Sequence, residues 1–219
     1  SKQLCSISTQ HYAFAVNAFV EMILDLDVDE YKFTLREGRT HEIIEDVKNL
    51  RSEIGILYFS DFNEKVLKNL LKENHLEFNF LFEAMPHVFV SSKHPLSKHK
   101  SVTLDDLDIY PFLAFEQGVY NSFYFSEEIL STVPRKKTIN VSDRATLFNL
   151  LIGLNGYTIC SGILSSDLNG DNIVSVPLIT DERMRIGWIA NEKSHLSQLA
   201  LEYIAKLKKT IRRYGYDIE

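Results

Sequence analysis

The sequence predicts an α/β fold in two compact halves, on three observations. Segments of strand period alternate with segments of helical spacing along almost all of the 219 residues. The connections between the early strands are long, which favours parallel pairing with a helix over each crossover. The alternation restarts after Ala84-Met85-Pro86 without a Gly- or Ser-rich linker, so the halves read as a hinged pair joined by stiff extended segments.

In the first half, residues 4–8 are strand-like and run into Ser8-Thr9-Gln10. Tyr12, Val16, Phe19, Val20, Ile23 and Leu24 then fall on one helical face. The acidic stretch 25–30 ends that pattern. Tyr31, Phe33 and Leu35 alternate with Lys32, Thr34 and Arg36 at strand period. After Gly38, Ile43, Ile44, Val47 and Leu50 return to helical spacing. Residues 54–59 form a continuous apolar run, the pattern of a strand buried on both faces. Val66, Leu67, Leu70 and Leu71 make a further helical stripe.

The second set begins with the alternating Phe78, Phe80 and Phe82, then 87–92 after Pro86. Strands are predicted at 110–115, 138–141, 157–160, 173–176 and 184–190, and helices at 122–130 and 144–154. Asp105 and Asp106 open a short helix after Thr103, where acids suit the positive end of the dipole. Ser194 is read as the cap of a last helix carrying Leu196, Leu199, Leu207 and Ile211.

Composition narrows the function classes. With 45% hydrophobic and 25% charged residues the chain is globular in type, not disordered. A net charge of −6 is the wrong balance for a chain that grips a nucleic-acid backbone by itself. Only two cysteines, Cys5 and Cys160, stand far apart, which fits a cytoplasmic location better than a secreted disulfide framework. No apolar run reaches the ~18 residues of a membrane span, and residues 1–5 lack the apolar core of a signal peptide.

Catalytic signatures are missing: there is no GxGxxG, Walker loop, HExxH or GxSxG. The reading is therefore not an enzyme. Cys160, in Tyr157-Thr158-Ile159-Cys160-Ser161-Gly162, reads as a small buried hydrophobe, since no neighbour in sequence lowers a thiol pKa. His94 and His99 share their segment with Lys93, Lys98 and Lys100 and have no carboxylate or thiol to complete a ligand set, so neither metal nor cofactor is expected. Lys206, Lys208, Lys209, Arg212 and Arg213 read as a solvated helix end.

Binding is the remaining option. In open parallel sheets ligands sit beyond the carboxyl ends of strands, where helix N-termini offer free N–H groups. Small polar residues cluster at four such places: Ser8, Thr9 and Gln10; Arg39 and Thr40; Glu116, Gln117 and Gly118, after Phe115; and Ser142 and Asp143. Each group also reads as a cap or turn. Two groups from each half predict a ligand cleft between the halves. Arg39 and the helix starts favour an anion, and Phe115, Phe123 and Tyr124 an apolar or aromatic portion.

Three motifs then carry a resemblance. The segment 44–56, ending Glu53-Ile54-Gly55-Ile56, resembles the helix, turn and Asp-Ile-Gly-Ile strand entry of LysR-type transcriptional regulators, with Glu53 in place of Asp. Val88-Phe89-Val90-Ser91-Ser92-Lys93-His94-Pro95-Leu96 resembles that family's strand followed by His-Pro-Leu. Val102-Thr103-Leu104-Asp105-Asp106-Leu107, with Tyr110-Pro111-Phe112, matches a third stretch in order and spacing. The segment 153–161 departs from the family in lacking a terminal proline.

The resemblance implies two Rossmann-like subdomains of the type 2 periplasmic-binding-protein kind, hinged by two crossover strands. The first would span 1–84 and 190–219, the second 85–189, with crossings near 84–88 and 183–189. It implies an effector-binding domain whose small-molecule inducer changes oligomer packing and, through an N-terminal helix-turn-helix domain, DNA binding. Implied contacts are Ser8, Thr9 or Gln10, then Thr40, with Phe115, Glu116 and Ser142 from the second subdomain. Implied partners are a small effector, DNA only through that other domain, and a second copy of the chain in a dimer or tetramer, with no membrane. A stand-alone solute-binding protein of a transporter is the alternative on the same fold.

Overall fold

A computed structural model describes residues 2–120 and 122–218. Ser1 and Glu219, which end the predicted first subdomain, and Asn121 lie outside the described residues. The chain runs β1 (Gln3–Thr9), α1 (Ala13–Leu24), β2 (Tyr31–Glu37), α2 (Thr40–Lys48), β3 (Ile54–Phe59), α3 (Glu64–Glu73) and β4 (Leu76–Ala84). It continues through β5 (His87–Ser91), α4 (Leu104–Leu107), β6 (Phe112–Phe115), β7 (Thr138–Val141), α5 (Arg144–Leu154) and β8 (Thr158–Cys160). The last elements are α6 (Ser166–Asn169), β9 (Ile173–Pro177), β10 (Met184–Asn191) and α7 (Gln198–Arg213). Two compact units result: Ser1–Glu83 with Arg185–Glu219, and Ala84–Met184.

In the first unit the described strands form one sheet in the order β2-β1-β3-β10-β4. β1 pairs parallel with both β2 and β3, as the long helical crossovers require, while β10 returns antiparallel to β3. Every residue of β3 is buried, which accounts for its unbroken apolar run. Gly55 lets α2 lie close on this strand. A Cβ there would stand 2.8 Å from an Ile43 methyl and 2.9 Å from Val47 and Ile189 carbons. α1 and α7 pack together, with the rings of Phe19 and Tyr203 5.9 Å apart and edge-on. The buried Tyr203 hydroxyl donates to the Ala15 carbonyl at 2.8 Å, so the ring stays in the core with its polar tip satisfied.

The start of α7 corrects the sequence reading. Ser197, not Ser194, is the cap: its hydroxyl accepts from the Ala200 N–H at 3.2 Å. Ser194 instead closes a turn onto the Asn191 carbonyl, and Leu196 lies ahead of the helix. A tertiary partner decides between the two serines. The carboxylate of Glu53 accepts from the Ser197 N–H at 2.9 Å and from its hydroxyl at 2.8 Å. The acidic residue of the first family-like motif thus anchors the last helix.

The second unit holds the antiparallel sheet β8-β5-β9 and the parallel pair β6-β7. Its core packs α5 against them through Phe89, Leu113, Phe115, Val141, Leu147 and Leu151. Two of the family-like motifs have structural duties here. Thr103 and Asp106 form a reciprocal capping box at α4. His94 is buried, accepts from the Leu96 N–H at Nδ1 and donates from Nε2 to the Asn155 carbonyl, each at 3.0 Å. Asn155 is the left-handed C-cap of α5, so His94 ties that helix end to the His-Pro-Leu turn.

The predicted helix over 122–130 does not form. Two short 3-10 turns, Gly118–Tyr120 and Phe123–Phe125, stand there instead. The Ser122 hydroxyl and carbonyl take the Tyr124 and Phe125 N–H groups, and Leu130 has a left-handed φ of 64°. Glu127 and Glu128 are both buried, and Glu128 accepts the Phe115 N–H at 3.1 Å. The buried Phe115 N–H on β6 takes as its acceptor a carboxyl group that helical spacing assigns to a solvated face.

Candidate functional site

In the first unit, β1 ends at Thr9 and the chain turns before α1. The Gln10 N–H donates to the Ile56 carbonyl at 3.0 Å, and the Gly38 N–H to the Thr9 carbonyl at 3.0 Å. These bonds bring the exits of β1, β2 and β3 to one place, beside the first residue of α2. Gln10 and Thr40 meet there. The Gln10 amide donates to the Thr40 hydroxyl at 2.8 Å, and its oxygen accepts from the Tyr12 hydroxyl at 2.9 Å and the Tyr58 N–H at 3.2 Å. All of Thr9, Gln10, Tyr12 and Thr40 are buried. The Thr9 hydroxyl donates to the Gln10 carbonyl at 2.7 Å. The cluster is neutral and its amide is fixed in one orientation, so it suits polar recognition rather than proton transfer.

The other residues expected in this unit lie apart from that cluster. Ser8 is fully buried and faces α2. Its hydroxyl donates to Asp46 at 2.8 Å and shares a hydrogen bond with Ser52 at 2.7 Å. Ser52 also receives Arg36 at 3.2 Å, and Arg51 pairs with Asp46 at 3.1 Å. Ser8 thus belongs to an internal polar network. Arg39 is the backbone cap of α2, with no side-chain cap bond, and its guanidinium pairs with Glu42 at 3.2 Å. None of the serine, threonine or glutamine at 8–10 caps α1, whose N-cap is Tyr12.

In the second unit, β6 delivers Phe115, Glu116 and Gln117, and β7 delivers Ser142. The Phe115 ring is in the core, while the Glu116 carboxylate accepts the Gly118 N–H at 2.8 Å and its own N–H extends the pairing to Val141 at 2.9 Å. Ser142 is exposed next to Asp143, which caps α5 through the Thr146 N–H at 2.8 Å. Sequence reading did not single out Tyr12, Asp46, Ser52, Glu127, Glu128 or Arg135. The tyrosine sat in a helical stripe, and the acids resembled ordinary solvated charge.

Both thiols are held protonated. Burial, with Glu53 adding to it, pushes the Cys5 thiol up to about 12, and burial pushes Cys160 well above the usual range. Among the described residues no group of three or more His, Cys, Asp or Glu side chains gathers to hold a metal ion. No helix among them is long and apolar enough to cross a membrane.

Comparison with known families settles what this fold is. Residues 29–212 match the model of the LysR substrate binding domain. The chain belongs to that family. The effector-binding domain of QuiR in complex with shikimate superposes with a TM-score of 0.62 at 18% identity, covering 98% of this chain and 99% of that one. The effector-binding domain of a BenM variant gives 0.65 at 17% identity, with 99% and 98% covered. HinK, a LysR family transcriptional regulator from Pseudomonas aeruginosa, gives 0.63 at 14% identity over 98% of this chain and 72% of that one. These likenesses establish the periplasmic-binding-protein-like fold with two subdomains. A search of curated proteins gives no match. The chain is thus a LysR-type effector-binding domain, and its work is ligand sensing.

Proposed function

We propose that this LysR domain reads its effector through the Gln10–Thr40 cluster of the first unit, with Thr9 and Arg39 beside it. Glu116 and Ser142 are the second unit's contribution. Ser8 and Phe115 act by holding the ends of β1 and β6, not by side-chain contact. The observation that carries this reading is the Gln10 amide, held by Thr40, Tyr12 and Tyr58 where three strands end beside the start of α2. A fixed neutral amide and hydroxyl, next to a helix N-terminus, suit the hydroxyl and carboxylate oxygens of a small metabolite.

Effector binding then shifts the equilibrium between arrangements of the full regulator by its differential affinity for them. The reading places this domain in a cytoplasmic, non-enzymatic regulator that pairs with a second copy and contacts DNA through a helix-turn-helix domain. Family membership supports this over a transporter's solute-binding protein. Because the QuiR domain is complexed with shikimate, shikimate is the first probe, followed by other small hydroxy-carboxylates. Calorimetric titration of the wild type, Thr40→Ala and Gln10→Ala tests the site. Saturable binding weakened in both variants supports it, and equal affinity in all three removes it.

A further inference from the structure

The irregular cover that replaces the predicted helix leaves space beneath it. A cavity of about 380 Å³ lies inside the second unit, against one face of the β6-β7 pair. Phe112 and Ala114 line it from β6, with their register partners Thr138 and Asn140 from β7. The intervening Leu113 and the following Val141 belong to the core packed on α5. The cavity is therefore mainly on the opposite face from that core, meeting it at Phe115 where β6 ends. Its volume is that of a small-molecule site, about 300–1,000 Å³.

Arg135 is the fixed charge in its wall. The guanidinium lies over the Phe112 ring, 3.9 Å from the centroid. Nε donates to the Tyr157 hydroxyl at 3.1 Å, and Nη1 donates to the Leu130 and Val133 carbonyls at 3.0 and 3.2 Å. Nη2 is buried and has no acceptor among the described residues. A guanidinium donor in that state is costly unless an acceptor reaches it, and its planar fork suits a carboxylate. Glu128 also lines the cavity. Burial, and then the charge of Glu127, pushes its carboxyl well above the usual range, which favours the protonated form and lessens repulsion of an anion.

We propose that this cavity is a second ligand site, taking a small organic carboxylate whose charged end pairs with Arg135 and whose apolar body lies against Ala114 and Phe123. Of the residues named for the effector, Phe115 also lines this cavity, but Gln10, Thr40, Glu116 and Ser142 do not, so Thr40→Ala separates the two readings. Phenylacetate is the probe, with phenylacetamide as its neutral counterpart, titrated by calorimetry into the whole chain. Arg135 also holds two carbonyls, so Ala114→Leu, which fills the cavity and leaves those bonds alone, is the primary variant and Arg135→Gln the second. The expected result is saturable phenylacetate binding, roughly tenfold or more weaker in both variants and for the amide, and unchanged in Thr40→Ala. Absence of saturation in the wild type overturns the proposal. So does equal affinity in Ala114→Leu, equal affinity for the amide, or loss in Thr40→Ala.

Discussion

The Gln10 side-chain amide donates to the Thr40 hydroxyl at 2.8 Å, joining the residue after β1 to the first residue of α2. Both side chains are buried, and the glutamine oxygen already serves Tyr12 and Tyr58. Thr40→Val keeps the shape and removes the acceptor. It should destabilise the domain by about 1–3 kcal/mol, because a buried amide N–H loses its partner. Urea unfolding checks this, and a midpoint equal to the wild type would show that the bond carries no stability.

Ser8→Ala separates stability from sensing. The hydroxyl bonds Asp46 and Ser52 within the first unit. The variant should lose about 1–3 kcal/mol while effector affinity stays unchanged. A loss of affinity with normal stability would return Ser8 to the list of side-chain contacts.

His94 predicts an acid limit. Burial lowers its pKa, although the bond to Asn155 works against this. The unfolded chain therefore takes up the proton first. Stability from this group is fully present above its unfolded value of about 6.5 and is lost as pH falls through the lower folded value. Unfolding measured between about pH 7 and about pH 5 should show a decline that His94→Gln flattens. An identical slope in that variant would place the pH dependence elsewhere.

Glu128 has the opposite sign. Its carboxyl is raised by burial and by Glu127. Stability is full below the unfolded pKa and is lost as pH rises towards the folded one. Glu128→Gln, which keeps an oxygen to accept the Phe115 N–H, should equal or exceed the wild type at neutral pH, with the gap widening as pH rises. A gap that widens instead on acidification would show that the carboxyl is ionised in the folded state.

Neither thiol should react in the native protein. Both Cys5 and Cys160 are free, and burial raises both. Iodoacetamide at neutral pH should label them only after denaturation, read by intact mass. Rapid native labelling of either would contradict the packing around it.

Much of the first unit was legible because its elements repeat a local rule. β3 there, and α5 in the second unit, were read to the residue, and the acids after Thr103 were placed at the start of a short helix. The site was legible as a set of positions, the polar residues that follow strands. Which of them meet was not. Thr9, Gln10 and Thr40 converge, Ser8 turns to Asp46, and Phe115 enters the core. One residue's step along a strand reverses the side-chain direction, so neighbours in sequence face different partners.

Periodicity, turn residues and the three short motifs by themselves determined the α/β class, the order of elements and the family likeness. These depend on which face of each segment avoids water, and that is written locally. Only the tertiary structure decided that Ser197 rather than Ser194 starts α7, that 122–130 forgoes its helix, and that Glu128 is buried. Each outcome turns on a partner distant in sequence or in another element: Glu53 for Ser197, and the Phe115 N–H for Glu128. A buried donor must find an acceptor wherever the fold brings one, and no local pattern records where that will be.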